Sequence, residues 1–133
     1  MRAFICVDDD LGRLFGSRRQ SRDGTLCADM IKTAGDGLLY IEKYSEPLFS
    51  DFAEKVCVCA EPPKDDSYFF FEKTDPEIYG RFVSEWTVYR WNRLYPSDEK
   101  FSEELLRGFR LTATEEFVGS SHEKITKEVY VRE

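Results

Sequence analysis

Glu85–Tyr95, EWTVYRWNRLY, decides how this chain is read, because it is the longest run of β-branched and aromatic residues in the sequence. Laid out as a strand, it puts Trp86, Val88, Arg90, Asn92 and Leu94 on one face. Thr87, Tyr89, Trp91, Arg93 and Tyr95 fall on the other. Both faces carry apolar or aromatic groups with polar ones set between them. A surface strand buries one face only, so this pattern predicts a central strand covered on both sides. Two further strand-like runs follow, Phe109–Phe117 and Ile125–Val131, joined through VGSSHEK, and these give it partners.

On the N-terminal side, Ala3–Val7 (AFICV) is a short apolar run stopped by Asp8-Asp9-Asp10, which predicts a buried strand. Asp8 to Asp23 reads as a polar loop containing Gly12 and Gly16, and loops of that length usually serve a function. From Thr25, the spacing of Leu26, Cys27, Met30, Ile31 and Ala34 is helical, and Gly35 with Asp36-Gly37 closes the helix. Leu38–Ile41 is a short strand. Ser45 is placed to cap a short helix with Pro47 in its first turn and Leu48, Phe49 and Phe52 inward. Lys55–Ala60 and Ser67–Glu72 are strands around the turn Pro62–Asp66. Thr74-Asp75-Pro76 starts a third short helix, with Ile78, Tyr79 and Phe82 as its inner face. Pro96–Arg107 is an irregular connection. The fold class expected is α/β: a single domain over residues 1–133, with a mixed, mostly parallel sheet, antiparallel C-terminal strands and short flanking helices.

A chain of 133 residues suits one domain and buries enough surface for a core without staples. The formal net charge of −7 argues against general nucleic-acid binding, which needs a basic field to neutralise phosphates. No apolar run approaches the ~18 residues of a membrane span. The opening MRAFICVDDD is too short in apolar residues for an export signal. The expectation is a cytoplasmic protein that touches neither nucleic acid nor membrane. Its four cysteines, Cys6, Cys27, Cys57 and Cys59, are then thiols, and Cys57 and Cys59, on one face of a strand, are best read as small buried residues. With one histidine and no CxxC pair they do not make a zinc site, and a di-zinc nuclease is excluded on the same ground.

Several of these segments, in this order, resemble dihydrofolate reductase. ICVDDDLGRLFG is similar to the family's opening strand and Gly-containing loop. Tyr79-x-x-Phe82 resembles the helix before its central strand, and Val88–Asn92 resembles that strand. Asp98-x-x-Phe101, FRLTATEE (Phe109–Glu116) and EVYVR (Glu128–Arg132) resemble the segments that follow. The chain is also similar to a group of short bacterial proteins that share RRQSRD and SSHEKITKEVY. The resemblance implies a dihydrofolate reductase-like sheet, shortened between Ala60 and Phe71. It also implies places where this chain departs. The family's catalytic carboxylate, with its Leu-Pro-Trp signature, falls in SRDGTLCADMIKTA, where only Asp23 and Asp29 are acidic. Asp29 is best read as a solvated residue on the outer helix face. The Gly-Gly that lets the family's backbone approach the cofactor pyrophosphate is replaced by Glu72-Lys73-Thr74-Asp75-Pro76. The family's Gly-Arg-x-Thr is replaced by Glu42-Lys43-Tyr44-Ser45. No cofactor is expected, and NADPH binding in the family manner is disfavoured.

Three groups of residues are candidates for a ligand site. RLFGSRRQSR (Arg13–Arg22) is the one basic cluster, and Arg18, Arg19, Gln20 and Arg22 could cradle an anion, since guanidinium forks hold phosphate or carboxylate well. The competing reading is that these arginines neutralise Asp8–Asp10 and other acids. His122, in GSSHEK, is the lone group titrating naturally near neutrality, although a histidine in such a turn is ordinarily exposed and its neighbours Ser120 and Ser121 rarely reach triad geometry. Arg90 and Asn92, with Arg93, are polar groups on the central strand that must pair with acids or line a pocket. The function expected is a ligand-binding or regulatory module whose partner is a small anionic ligand. The alternatives are a nicotinamide- or flavin-dependent reductase of a pteridine- or pyrimidine-like substrate, and a protein-interaction module. A homodimer is left open.

Overall fold

The structure is a computed structural model that describes all 133 residues. Its strands, in chain order, are β1 (Arg2–Val7), β2 (Gly12–Phe15), β3 (Arg18–Arg19), β4 (Leu39–Ile41), β5 (Val56–Val58), β6 (Tyr68–Phe70), β7 (Glu85–Arg90), β8 (Glu99–Lys100), β9 (Phe109–Phe117) and β10 (Ile125–Arg132). Seven of them form one sheet in the order β5-β4-β6-β1-β7-β10-β9. The pairs from β5 through β7 are parallel, and β10 runs antiparallel to both β7 and β9. The mixed α/β sheet expected from the sequence is therefore present, and β7 is central in it.

The alternation along β1 and β7 sorts side chains into two cores. Phe4 and Tyr89 point to one side and pack with Leu26, Met30, Phe49 and Phe70. Ala3, Ile5, Val7, Trp86 and Val88 point to the other and pack with Phe69, Phe71, Val83 and Phe101. Trp86 and Tyr89 are both fully buried, and each large side chain removed from water in this way contributes roughly 2–3 kcal/mol. The strand ends at Arg90, short of Tyr95, because Asn92 adopts a left-handed backbone with φ of 59°.

Helix α1 (Gly24–Ala34) covers the first core with Leu26, Cys27 and Met30. Asp23 caps it, accepting from the N–H groups of Thr25 and Leu26 at 2.9 and 3.2 Å, and Gly35 with φ of 66° ends it. Lys43–Lys55 follows as 3₁₀ turns broken at Phe49 and Phe52. Ser45 does not cap this stretch as expected: it is fully buried and donates its hydroxyl to Glu72. Helix α2 (Pro76–Tyr79) is one turn capped by Asp75, and Ile78 points outward at 65% exposure, not into the core.

The largest difference from the sequence reading lies in Asp8–Asp23. This segment is a hairpin, β2 with β3, which pairs with β8 to make a second, three-stranded sheet. Gly12 sits at the crowded point of that hairpin, where a Cβ would lie 2.6 Å from Ser97 and 2.7 Å from Gln20. No helix is long and apolar enough to cross a membrane.

Candidate functional site

In an open α/β sheet, ligands enter at the carboxyl ends of parallel strands where the chain's direction of travel reverses. Here that point is β1, which lies between β6 and β7 while the connection from β1 runs first to β4. Asp8, Glu72 and Trp91 stand just beyond the ends of these three strands. The hairpin β2–β3 folds back over them.

Asp8 anchors the hairpin. Its buried carboxylate accepts from the N–H groups of Gly12 (2.7 Å), Asp10 (2.9 Å) and Tyr95 (3.2 Å) and from Gln20 Nε2 (2.9 Å). Burial alone would raise its pKa, but these donors outweigh it and hold the group below the usual carboxylate range. Gln20 is thus a strut of the hairpin.

A second cluster fills the space beside β6. Arg19 donates through Nε and Nη2 to both oxygens of Glu72, at 2.9 Å each, and its guanidinium lies 4.2 Å over the Tyr44 ring. Ser45 Oγ donates to the same carboxylate at 2.8 Å, and Arg13 Nη1 donates to the Glu72 carbonyl at 2.8 Å. For Arg19 and Arg13 the competing reading of the basic cluster holds in its second part: they pair with the other acids Glu72 and Glu99, far along the chain, and not with Asp8–Asp10. Next to this pair, the Glu42 carboxylate accepts from the successive N–H groups of Glu72, Lys73 and Thr74 at 2.7, 3.0 and 3.0 Å. Three convergent backbone donors make an anion nest, and a side chain of the protein itself fills it.

The third cluster surrounds His122, which is 5% exposed. The exposed turn histidine expected from the sequence is therefore corrected: the imidazole stacks on Trp91, with centroids 4.5 Å apart and planes at 25°. Its Nδ1 lies 3.0 Å from Asp23 Oδ2, and its Nε2 lies 3.0 Å from both Ser21 Oγ and Tyr95 Oη. Asp23 also accepts from the N–H groups of Ser120 and Ser121 and from both of their hydroxyls. Burial pushes against its ionisation, but the N–H of Ser121, the His122 ring and the N–H groups of Ser120 and Leu26 hold it well below the usual carboxylate range. Gly119 makes this approach possible, because a Cβ there would run into the Asp23 carboxylate.

The remaining candidates fall elsewhere. Arg18 is exposed on β3, and Arg90 pairs with Glu128 at 2.6 Å on β10. Asn92 binds the Lys124 carbonyl at 3.2 Å and Thr126 Oγ1 at 2.9 Å, tying the end of β7 to the start of β10. Asp29 is not solvated as expected: it accepts from Tyr89 Oη at 2.6 Å and pairs with Lys127 at 2.8 Å. Of the residues singled out, Arg22 and His122 converge on one region with Arg93, while Gln20 stays with Asp8 and the Pro96 carbonyl. Ser21, Asp23, Tyr95 and Trp91 belong to it and were not singled out as a site. The signal for Asp23 was an acid immediately before a helical period, the position of a cap.

Two spaces result. The one under the hairpin, among Cys6, Arg13, Arg19, Leu48, Glu72 and Trp91, encloses only about 20 Å³, room for one water molecule. The other is an open groove of about 470 Å³ along Ser21, Arg22, Arg93, Tyr95 and His122.

No family model matches the sequence, and no curated protein matches it. Among solved structures, the chain is similar to a dihydrofolate reductase from Enterococcus faecalis, determined in complex with NADP(H) and RAB-propyl. That match has a TM-score of 0.66 at 9% identity and covers 98% of this chain and 95% of that one. At that identity the likeness speaks for architecture alone. The chain has a dihydrofolate reductase-like fold.

Proposed function

We propose that this protein is a binding module for a small anionic molecule, held in the open groove beside His122, on a dihydrofolate reductase-like fold that no longer takes NADPH in the family manner. One observation carries the reading. Arg22 and Arg93 line the groove, and neither has an acidic partner, in a chain with 26 acidic and 19 basic residues. Unpaired guanidiniums in such a chain, beside the hydroxyls of Ser21 and Tyr95, suit a carboxylate or phosphate.

The residues present do not fit NADPH. The backbone donors after β6 that would face a pyrophosphate are already taken by Glu42, and a second anion there would meet its charge. The space of about 20 Å³ under the hairpin is likewise too small for a pteridine ring. The four free thiols suit action in a reducing compartment, the cytoplasm.

The test is thermal melting with inorganic phosphate. Ligand at ~100 times its dissociation constant stabilises the folded state by about 2.7 kcal/mol. Phosphate should therefore raise the melting temperature of the wild type, and this rise should disappear in an Arg22→Glu/Arg93→Glu variant. NADPH at about 1 mM should raise neither. A wild type indifferent to phosphate up to ~50 mM would remove the reading.

A further inference from the structure

The hydroxyl of Ser21 is held 3.0 Å from His122 Nε2 on the wall of the open groove. The other face of the same histidine is fixed. Asp23 Oδ2 lies 3.0 Å from Nδ1, and that carboxylate is itself held by the cap of α1 and by the Ser120–Ser121 turn. An ionised carboxylate at that distance requires Nδ1 to carry the proton, which in the neutral ring leaves Nε2 as an acceptor facing the hydroxyls of Ser21 and Tyr95, each at 3.0 Å. The Trp91 ring fixes the imidazole plane from below. Capping α1 accounts for Asp23. It does not call for a buried imidazole whose second nitrogen faces two hydroxyls beside a cationic groove.

We infer that Ser21, His122 and Asp23 form a nucleophile–base–orienter set, and that the groove is an esterase site for small esters carrying an anionic group. Nucleophile, base and orienter are recognised by geometry and roles, not by their order in the chain. The chemistry rests on the groove being the ligand site. Ser21 Oγ attacks the ester carbonyl carbon while His122 Nε2 takes its proton, and the carbonyl electron pair moves to oxygen. Collapse of that intermediate breaks the ester C–O bond, and the departing alkoxide takes the proton back from Nε2, leaving an acyl group on Ser21. Water, giving a proton to Nε2, then attacks the acyl carbon. The acid leaves, and Ser21 regains its proton. The guanidiniums of Arg22 and Arg93 line the same groove, and the N–H of Arg22 has no backbone acceptor, so these groups are available as donors to the developing negative charge. Tyr95 Oη, 3.4 Å from Ser21 Oγ, donates toward the attacking oxygen.

The direct test uses diisopropyl fluorophosphate, whose phosphorus a serine attacks with loss of fluoride. Intact mass and peptide mapping should show one diisopropylphosphoryl group, on Ser21 of the wild type. Ser21→Ala should take up none, and His122→Gln should react at least about 100-fold more slowly, the usual contribution of a general base. Mapping on the wild type needs no variant to fold. An unmodified wild type, or an adduct that survives in Ser21→Ala, would overturn the assignment. The reagent is uncharged, so labelling of the wild type reads the Ser21 chemistry without the anion contact. Labelling lost while phosphate still binds removes the chemistry alone, and phosphate binding lost while Ser21 is still labelled removes the anion reading alone.

Discussion

Glu72→Ala probes the cluster that closes the space under the hairpin. The substitution leaves the Arg19 guanidinium without the carboxylate that it grips at 2.9 Å through two donors, and strands the buried Ser45 hydroxyl. Removing one partner of a buried ion pair costs about 3–5 kcal/mol. Arg19 keeps 21% of its side chain in solvent and remains stacked over Tyr44, which lowers the expected loss to about 2–3 kcal/mol. For a chain of this size that is a fall in melting temperature of about 6–9 °C. Urea denaturation read by tryptophan fluorescence measures it, with Arg19→Met and the Arg19→Met/Glu72→Ala double variant completing a cycle. The double variant should be less destabilised than Glu72→Ala, because no uncompensated charge is left behind. A Glu72→Ala loss under ~0.5 kcal/mol, within the range of ordinary surface changes, would refute the claim that this pair is buried and coupled.

Acid should act through Asp8 and Asp23. Both titrate below their ordinary range when folded, so the unfolded chain binds these protons more tightly. Their stabilisation is complete above the unfolded value of about 3.9 and is lost as the pH falls further, through the folded values; an Asp23→Asn variant should show a flatter urea midpoint between about pH 5 and pH 2. Cys27, pushed up to about 11 first by burial and then by Glu72 and Asp23, should stay unalkylated by iodoacetamide at about pH 8 in the folded protein and react once the chain is unfolded. Trp91→Ala should cost about 3–5 kcal/mol by leaving a hole beneath His122, with the imidazole's proton resonances shifting as the ring current is lost.

The fold was legible in β7 because period-2 alternation with apolar groups on both faces has few other solutions than a central strand. Trp86 and Tyr89, adjacent in pattern and opposite in direction, end up in separate cores as the pattern requires. The site was less legible because its contacts are remote along the chain. His122 and Asp23 are 99 residues apart, and Arg19 and Glu72 are 53 apart. Local composition marked GSSHEK as an exposed turn, and nothing within that segment announces that Trp91 lies under the imidazole. The same holds for Glu42 and Glu72. As letters they mark only where family motifs are replaced, whereas in space Glu42 fills an anion nest and Glu72 captures an arginine. The hairpin β2–β3 was missed for a different reason. Its strands are four and two residues long, too short to show a period.

The central claim is that anions bind the His122 groove and not the backbone donors after β6. An amide ¹H–¹⁵N titration with inorganic phosphate tests both places at once. Binding in the groove predicts shifts at Ser21–Gly24, Arg93–Tyr95 and Ser120–His122, with Glu72, Lys73 and Thr74 unmoved because Glu42 holds their N–H groups. Shifts confined to Glu72–Thr74 would contradict the account.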